Sequence, residues 1–422
     1  MDCLLKNARI IDPRSDYHQQ RGHVLVSEGL IKEINTNTIP DHDPSAKVID
    51  LEDLHISPVW TDIYNHFCDP GMEHREDLFS GSEAAFFGGF GRVGVLPETT
   101  PPLQSKESIT YIRNRNNGHI VELLPFGAIS KDLKGEELTE MYDLYQAGAY
   151  AFTEGDKPLI HSELLLNGMQ YSHSFGAGFM ITPRDPFLER NGVVHEGKIH
   201  LSLGAQALPP LAEEVSIRRE LSISEYIGAP VHFTKISHAR SVELIEDAQK
   251  KGLPVTAGVS INNLCFSEED LMDFNTNLKL TPPLRGKEDQ EQLKEGIKKR
   301  VITSIVSDHR PVEDELKNCE FESAEFGAIG LQTLFPAALE ALDGDLETLV
   351  ELISINPGKL INSPAPILKE NSAASLTLFQ PNAKWTFDKT NNRSLSFNSP
   401  FWNRELKGRA AGIIKGETVR LT

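Results

Sequence analysis

The sequence predicts an α/β fold: a (β/α)8 barrel with a small composite β-domain assembled from the two ends of the chain. Three observations lead there. Strand-like apolar stretches dominate both ends. The centre alternates β-type runs with helix-period segments. Eight such strand–helix units fit within about 300 residues, the count of a barrel whose chemistry lies at the C-terminal ends of its strands. No Gly-x-Gly-x-x-Gly follows a strand to favour an open doubly wound sheet.

Taken in order, Leu4–Leu5, Ala8–Ile11, His23–Ser27, Leu30–Ile34 and Lys47–Leu51 are brief strands separated by turn residues. Barrel strands are expected at Ser57–Ile63, Gly91–Leu96, Val121–Phe126, Ala149–Thr153, Gly178–Ile181, Val231–Ile236, Val255–Val259 and Val301–Val306. Between or after them, Leu159–Tyr171, Ala212–Ile227, Ser241–Lys250, Gly327–Leu342 and Leu346–Ile355 carry apolar residues three and four apart, the spacing of a helix face. Ala374–Gln380, Lys384–Phe387, Arg409–Lys415 and Thr418–Leu421 return to strand character. Because chain termini often lie close together, the two ends are expected to share one β-domain, residues 1–55 with 370–422, around a barrel at 56–369.

The 422 residues carry 42 Lys and Arg against 61 Asp and Glu, a formal charge of −19. Phosphate contacts need clustered cations, so this balance opposes broad binding to nucleic acid or anionic membranes. No apolar leader follows Met1 and no apolar run reaches spanning length. Cys3, Cys68, Cys265 and Cys319 are scattered, without a CxxC pair. A soluble, cytoplasmic protein is expected.

The stretch Ser57–Pro101, SPVWTDIYNHFCDPGMEHREDLFSGSEAAFFGGFGRVGVLPETTP, resembles the barrel opening of the class I dihydroorotases of the amidohydrolase superfamily. Their pattern there reads PGF-x-D-x-H-x-H-L-R-x-PG, then HKED, SGS-x-AA-x-GG and a strand ending in MPNTNP. This chain supplies Asp62, His66, Pro70–Gly71, Glu73–Asp77, Ser80–Ser82, Gly88–Gly89 and Pro97. Further collinear matches run through Gly148–Thr153, Val193–Gly197, Ala212–Glu214, Ser241–Ile245, Asn275–Arg285, Asp308–His309, Phe321–Thr333 and Asn356–Pro357. The resemblance therefore covers nearly the whole chain. It implies an amidohydrolase-type barrel with a composite β-sandwich from both termini.

The departures fall on the metal site that this resemblance implies. Members of the family hold zinc with an HxH after the first strand, an acid or carboxylated lysine after the fourth, histidines after the fifth and sixth, and an Asp after the eighth. Here HxH reads Tyr64-Asn65-His66, and the fourth-strand FTDDG reads Phe152-Thr153-Glu154-Gly155-Asp156. The fifth- and sixth-strand histidines fall on Thr182 and Lys235. His66 and Asp308 keep their ligand positions, with Glu154 a third remnant; Tyr64, Thr182 and Lys235 mark losses. Catalytic zinc keeps about three protein donors plus water, and an ammonium has no lone pair to give. No metal cofactor is expected, and Asp308, the family's general base, would then face no activated water.

Substrate contacts change in parallel. The family arginine after HxHL falls on Cys68, the NTNP asparagine on Thr100 and the seventh-strand histidines on Asn262–Asn263, while Asn277 and His309 persist at positions that the family uses near substrate. Plainer readings stand beside these. His66 alone is a hydrogen-bonded core histidine and Asp308 a turn cap. His195, His200 and His238 are loop histidines, Glu73–Asp77 is a solvated helix start, and Gly88–Gly89 is a close helix contact.

The resemblance then implies a non-catalytic dihydroorotase homologue of pyrimidine biosynthesis, a homodimer that associates with aspartate carbamoyltransferase. The alternative is an active cyclic-amide hydrolase of dihydroorotase, hydantoinase or allantoinase type, with zinc on His66, Glu154 and Asp308. A third reading is a small-molecule sensor that reuses the old pocket. In the emptied site, Lys235 is expected to pair with Asp308, and Glu154 is a second candidate partner.

Overall fold

The computed structural model describes residues 2–422. Both chain ends enter one sheet, in the order Thr418–Leu421, Glu405–Lys415, Ser375–Thr386, His55–Pro58, Cys3–Ile10, Arg21–Ser27, Leu30–Asn35, with Lys47–Ile49 also on Cys3–Ile10. The seam between the two ends is antiparallel, Leu376 opposite Pro58 and Phe379 opposite His55. Apolar alternation drives this pairing: Leu5, Ile10, Val24, Ile56, Leu376 and Ile414 bury their side chains in one cluster. The strands expected at 374–380 and 384–387 are one strand, Ser375–Thr386, whose register shifts between Gln380 and Lys384.

The centre holds two large parallel sheets, besides the short parallel pair Val194–His195 and Ala207–Leu208. One contains Trp60–Asn65, Phe90–Val95 and Glu122–Pro125; the other runs Ile302–Val306, Val255–Ser260, Val231–Phe233, Gly178–Ile181, Ala151–Thr153, Gly127–Ala128. They adjoin at both edges. Glu122–Pro125 leads into Gly127–Ala128 through Phe126, whose N–H donates to Val95 O at 2.9 Å. On the other side a parallel bridge joins Asn65 to His309, and the His66 N–H donates to His309 O at 2.9 Å. The strands are buried along their length, as parallel strands covered by helices require.

Helices follow most strands. Leu78–Gly88 starts on Asp77, whose side chain accepts from Ser80 N while the Ser80 hydroxyl accepts from Asp77 N, a reciprocal cap. Gly88 lies against the Leu331 carbonyl, where an added Cβ would stand 2.2 Å from the oxygen, so the glycine pair is a packing contact. The expected helix over 327–342 forms only at Leu334–Ala341. Its first turns are a loop because Gly330 is pressed against Ser307 O and Gly327 takes φ 132, a region unfavourable for side chains. Leu346–Val350 is α-helical and continues as a π-turn at Glu351–Ile355. Further helices form at Lys106–Arg115 and Lys287–Lys298, which carry few apolar residues, and at Met141–Ala147, which is only seven residues long. Among the described residues no helix is long and apolar enough to cross a membrane.

Candidate active site at the strand ends

The residues singled out from the sequence stand just past the C-terminal ends of parallel strands. His66 follows Trp60–Asn65, Glu154 and Asp156 follow Ala151–Thr153, Thr182 follows Gly178–Ile181, Lys235 follows Val231–Phe233, and Asp308 follows Ile302–Val306. Asp308 is held at φ 52, in the left-handed region. Its neighbours fix that turn: Ser307 N donates to Asp62 at 3.1 Å and Ser307 Oγ to Asn65 at 3.0 Å.

Lys235 is the centre of the site and its side chain is fully buried. Nζ lies 2.7 Å from Asp308 Oδ1 and 2.8 Å from Asp156 Oδ1, and donates to Thr281 O at 2.8 Å. The ammonium also stands 4.4 Å from the centre of the Tyr64 ring, within cation–π range. Tyr64 and Thr182 form one chain of hydroxyls. Tyr64 donates to Asp156 Oδ1 at 2.9 Å and meets Thr182 Oγ1 at 2.8 Å, which in turn meets Thr234 Oγ1 at 2.9 Å.

Asp156 collects the remaining charges. Arg310 Nη1 donates to its Oδ2 at 2.5 Å, and His66 Nε2 lies 3.4 Å from the same oxygen. His66 Nδ1 is 3.5 Å from Glu98 Oε2, which also accepts from Asp156 N at 2.9 Å. Burial opposes ionisation of Asp156, but Lys235, His66 and Arg310 outweigh it and hold the carboxyl well below its ordinary range. Asp308 lacks the arginine; burial pushes its pKa up, Lys235 offsets this in part, and Asp156 adds to it. Tyr64 is raised well above 10 by burial and by Asp156, so it remains a phenol that donates.

Glu154 and His309 are placed elsewhere. The Glu154 carboxylate accepts from Ser130 N at 2.6 Å and Ser130 Oγ at 2.8 Å, and burial raises it to about 7. His309 is fixed in packing: Nδ1 accepts from Gly330 N at 3.1 Å and Nε2 lies 3.2 Å from Glu76. Glu76, expected on a solvated helix start, is fully buried and also accepts from Ser80 and Ser394. Asn277 is half-buried in the short turn Thr276–Leu278, and no hydrogen bond among the described residues links it to the cluster.

The remnant set His66, Glu154 and Asp308 is therefore not what the fold assembles. His66, Glu98 and Asp156 offer ligand atoms within 4.8 Å of one another. Beyond the Asp156 oxygen, His66 Nε2 has no hydrogen-bond partner. One histidine and two carboxylates are admissible zinc donors. A dication at this trio would, however, stand beside the ammonium of Lys235 and the guanidinium of Arg310, both already bound to Asp156. Glu98, Asp156 and Arg310 were not singled out from the sequence. The displaced acid in Phe152–Asp156 was the available signal for Asp156. A cavity of about 480 Å³ opens over this cluster, lined by His66, Cys68, Glu98, Thr100, Lys157 and Arg310.

Residues 55–241 match the family model described as Dihydro-orotase-like. The chain is 35% identical to a dihydroorotase of Syntrophus aciditrophicus, over 99% of both chains, and 35% identical to one of Aquifex aeolicus, over 98% of both. It is 37% identical to a dihydroorotase of a Sulfurihydrogenibium species, over 99% of both. Among solved structures it is similar to an L-hydantoinase (dihydropyrimidinase) from Arthrobacter aurescens, with TM-score 0.85 and 22% identity over 99% of this chain and 95% of that one. A dihydropyrimidinase from Brevibacillus agri aligns with TM-score 0.82 and 19% identity over 100% and 95%. At these identities the structures speak for the fold.

Proposed function

This chain belongs to the dihydroorotase family, and we propose that within it the protein is a non-hydrolytic member whose zinc centre has been replaced by a side-chain ion-pair cluster. The observation that carries this reading is the Lys235 ammonium seated between Asp156 and Asp308. Lys235 takes the sixth-strand ligand position, and Asp308, the family's general base, accepts its charge instead of a proton from water. The trio His66, Glu98 and Asp156 does not fit a catalytic zinc while Arg310 and Lys235 occupy Asp156, because both cations repel the ion and take its oxygens. Without a metal the attacking water keeps its bulk acidity, and ring opening of a cyclic amide has no nucleophile at neutral pH.

The two parallel sheets, adjoining at both edges, are read as one closed (β/α)8 barrel at 56–369, with the shared terminal sheet as the composite β-domain of 1–55 and 370–422. The role left to such a protein is structural or regulatory: a cytoplasmic homodimer that associates with aspartate carbamoyltransferase in pyrimidine biosynthesis. The partner comes from the family resemblance. The net charge of −19 favours a partner surface that is basic or uncharged.

A second reading, an active cyclic-amide hydrolase, draws on His66 Nε2, which faces Asp156 Oδ2 at 3.4 Å and has no hydrogen-bond partner beyond it among the described residues, in a cluster with Glu98 and Asp156. Zinc content and turnover of dihydroorotate, measured on the same purified protein, separate the two. Substoichiometric zinc with no turnover above background is expected. Stoichiometric zinc with turnover overturns the non-hydrolytic reading. Light scattering of mixtures with aspartate carbamoyltransferase tests the association; a monomer at every concentration, alone or mixed, removes the scaffold role.

A further inference from the structure

At the opposite end of the parallel strands lies a second cavity, of about 450 Å³, a volume within the range of small-molecule sites. Gly178, Val231, Thr256 and Thr303, at or next to the first residues of four adjacent strands, form part of its wall. Pro230, Pro254 and Leu360 are the accessible apolar part of the rest. It shares no lining residue with the cavity over the ion-pair cluster.

Its charge is unlike that of the rest of the protein. The chain has 61 acidic residues, yet no Asp or Glu lines this cavity. Lys359 does line it, exposed and without an ion-pair partner among the described residues, together with the exposed His173. Further in, His232 is buried, with Nδ1 2.9 Å from Thr256 Oγ1, and burial drives its pKa down to about 3. It is thus a neutral imidazole, with Nε2 3.5 Å from Ser304 Oγ, and it adds no charge to the wall.

We propose that this cavity binds a small amphipathic monocarboxylate, with its apolar body against Pro230, Pro254 and Leu360 and its carboxylate at Lys359. A cationic ligand would meet Lys359 with no carboxylate to offset it. A strongly polar acid would leave the apolar walls without a partner, and a neutral apolar molecule would leave the lysine unused. Burial of the hydrocarbon supplies affinity and the ammonium supplies selectivity for the anion. The site stands apart from the strand-end cluster, so it holds or fails independently of the non-hydrolytic reading.

The test is calorimetric titration of the full-length protein with decanoate below its micellar range, with decan-1-ol and decyltrimethylammonium as controls. One saturable decanoate site is expected, weakened about tenfold or more in Lys359→Glu, a substitution at an exposed position. Thr303→Phe, which fills the cavity from its wall, is expected to abolish binding, with circular dichroism confirming that both variants are folded. Absence of saturable binding, equal affinity for the alcohol or the cation, unchanged affinity in Lys359→Glu, or binding retained in folded Thr303→Phe would each overturn the proposal.

Discussion

Lys235 and Asp308 form a fully enclosed ion pair at 2.7 Å, and Asp156 takes the same ammonium from the other side at 2.8 Å. Two carboxylates brought this close without a cation would repel each other or take up a proton. Lys235 removes that conflict, and the Thr281 carbonyl and the Tyr64 ring complete its shell.

Removing the ammonium should therefore cost far more than a surface ion pair does. In Lys235→Met the two carboxylates stay buried without it, and the expected loss of folding stability is about 3–5 kcal/mol. The sign of its pH dependence follows. Asp308, already raised by burial and by Asp156, loses the ammonium that offsets this, while Asp156 keeps Arg310; the penalty therefore falls on Asp308, is present at neutral pH and eases as pH falls. Urea unfolding of both proteins at pH 7.5 and pH 5.5 checks this; equal stability at pH 7.5 would show that the pair is not load-carrying in the fold.

A second pH effect lies outside the site. Glu220 is fully buried, and burial raises its pKa to about 7 even though Arg219 and Ser216 bind one oxygen; its other oxygen has no hydrogen-bond partner. A folded pKa above the ordinary glutamate value of 4.5 means that the folded state binds the proton more tightly. Stability is therefore lost as pH rises from about 4.5 through 7, by up to about 1.4 kcal/mol per pH unit for one group. Asp62 and Glu154, both raised to about 7 chiefly by burial, add slopes of the same sign. Glu220→Gln should flatten the stability curve between pH 5 and 7 by one group's share, and an unchanged slope in denaturant titrations would refute this.

Much of the fold was legible because its elements follow hydrophobic period. The terminal strands show alternation, and the central parallel strands are apolar runs of about the right length. The helices without a visible period, such as Lys287–Lys298, bury few residues, so packing on neighbours decides them and local pattern does not. For the site, the family resemblance tied Thr182, Lys235 and Asp308 to the ends of three strands; Tyr64 lies inside Trp60–Asn65 and Lys235 falls just past Val231–Phe233, although the expected strand ran through it to Ile236. The resemblance did not reveal which carboxylate the lysine meets. That depends on the turn after Thr153, where Gly155 at φ 64 separates Glu154, held by Ser130, from Asp156, which enters the cluster. The roles of Arg310 and Glu98 were hidden for the same reason: their partners are remote in sequence.

Glu76 shows how a residue that looks solvated can fasten three segments. It binds His309 from the loop after Ile302–Val306, Ser80 of the helix Leu78–Gly88, and Ser394 near the C-terminal strands. Glu76→Ala leaves these donors buried and unpaired, at about 1–3 kcal/mol for each group left unsatisfied. The expected outcome is a loss of several kcal/mol on thermal or urea unfolding, with the Lys235 cluster intact. A change within about 0.5 kcal/mol would mean that water replaces the carboxylate.

If Lys235 and Arg310 are what exclude a metal, replacing both should admit one. Lys235→His restores a nitrogen donor after the sixth strand, and Arg310→Ala frees Asp156 Oδ2, which the guanidinium now holds at 2.5 Å. His66, Glu98 and Asp156 already bring ligand atoms within 4.8 Å of one another, so the double variant presents two histidines and two carboxylates around one point. That set suits four-coordinate zinc. Each substitution also removes one positive charge from beside the ion. The double variant is expected to retain about one zinc per chain after dialysis, measured by metal analysis, and to gain thermal stability with added zinc through mass action. The single variants, each keeping one cation on Asp156, should bind more weakly. If the folded double variant takes up no more zinc than the unmodified protein, the two cations are not what closes the site, and the hydroxyl chain of Tyr64 and Thr182 becomes the remaining obstacle to examine.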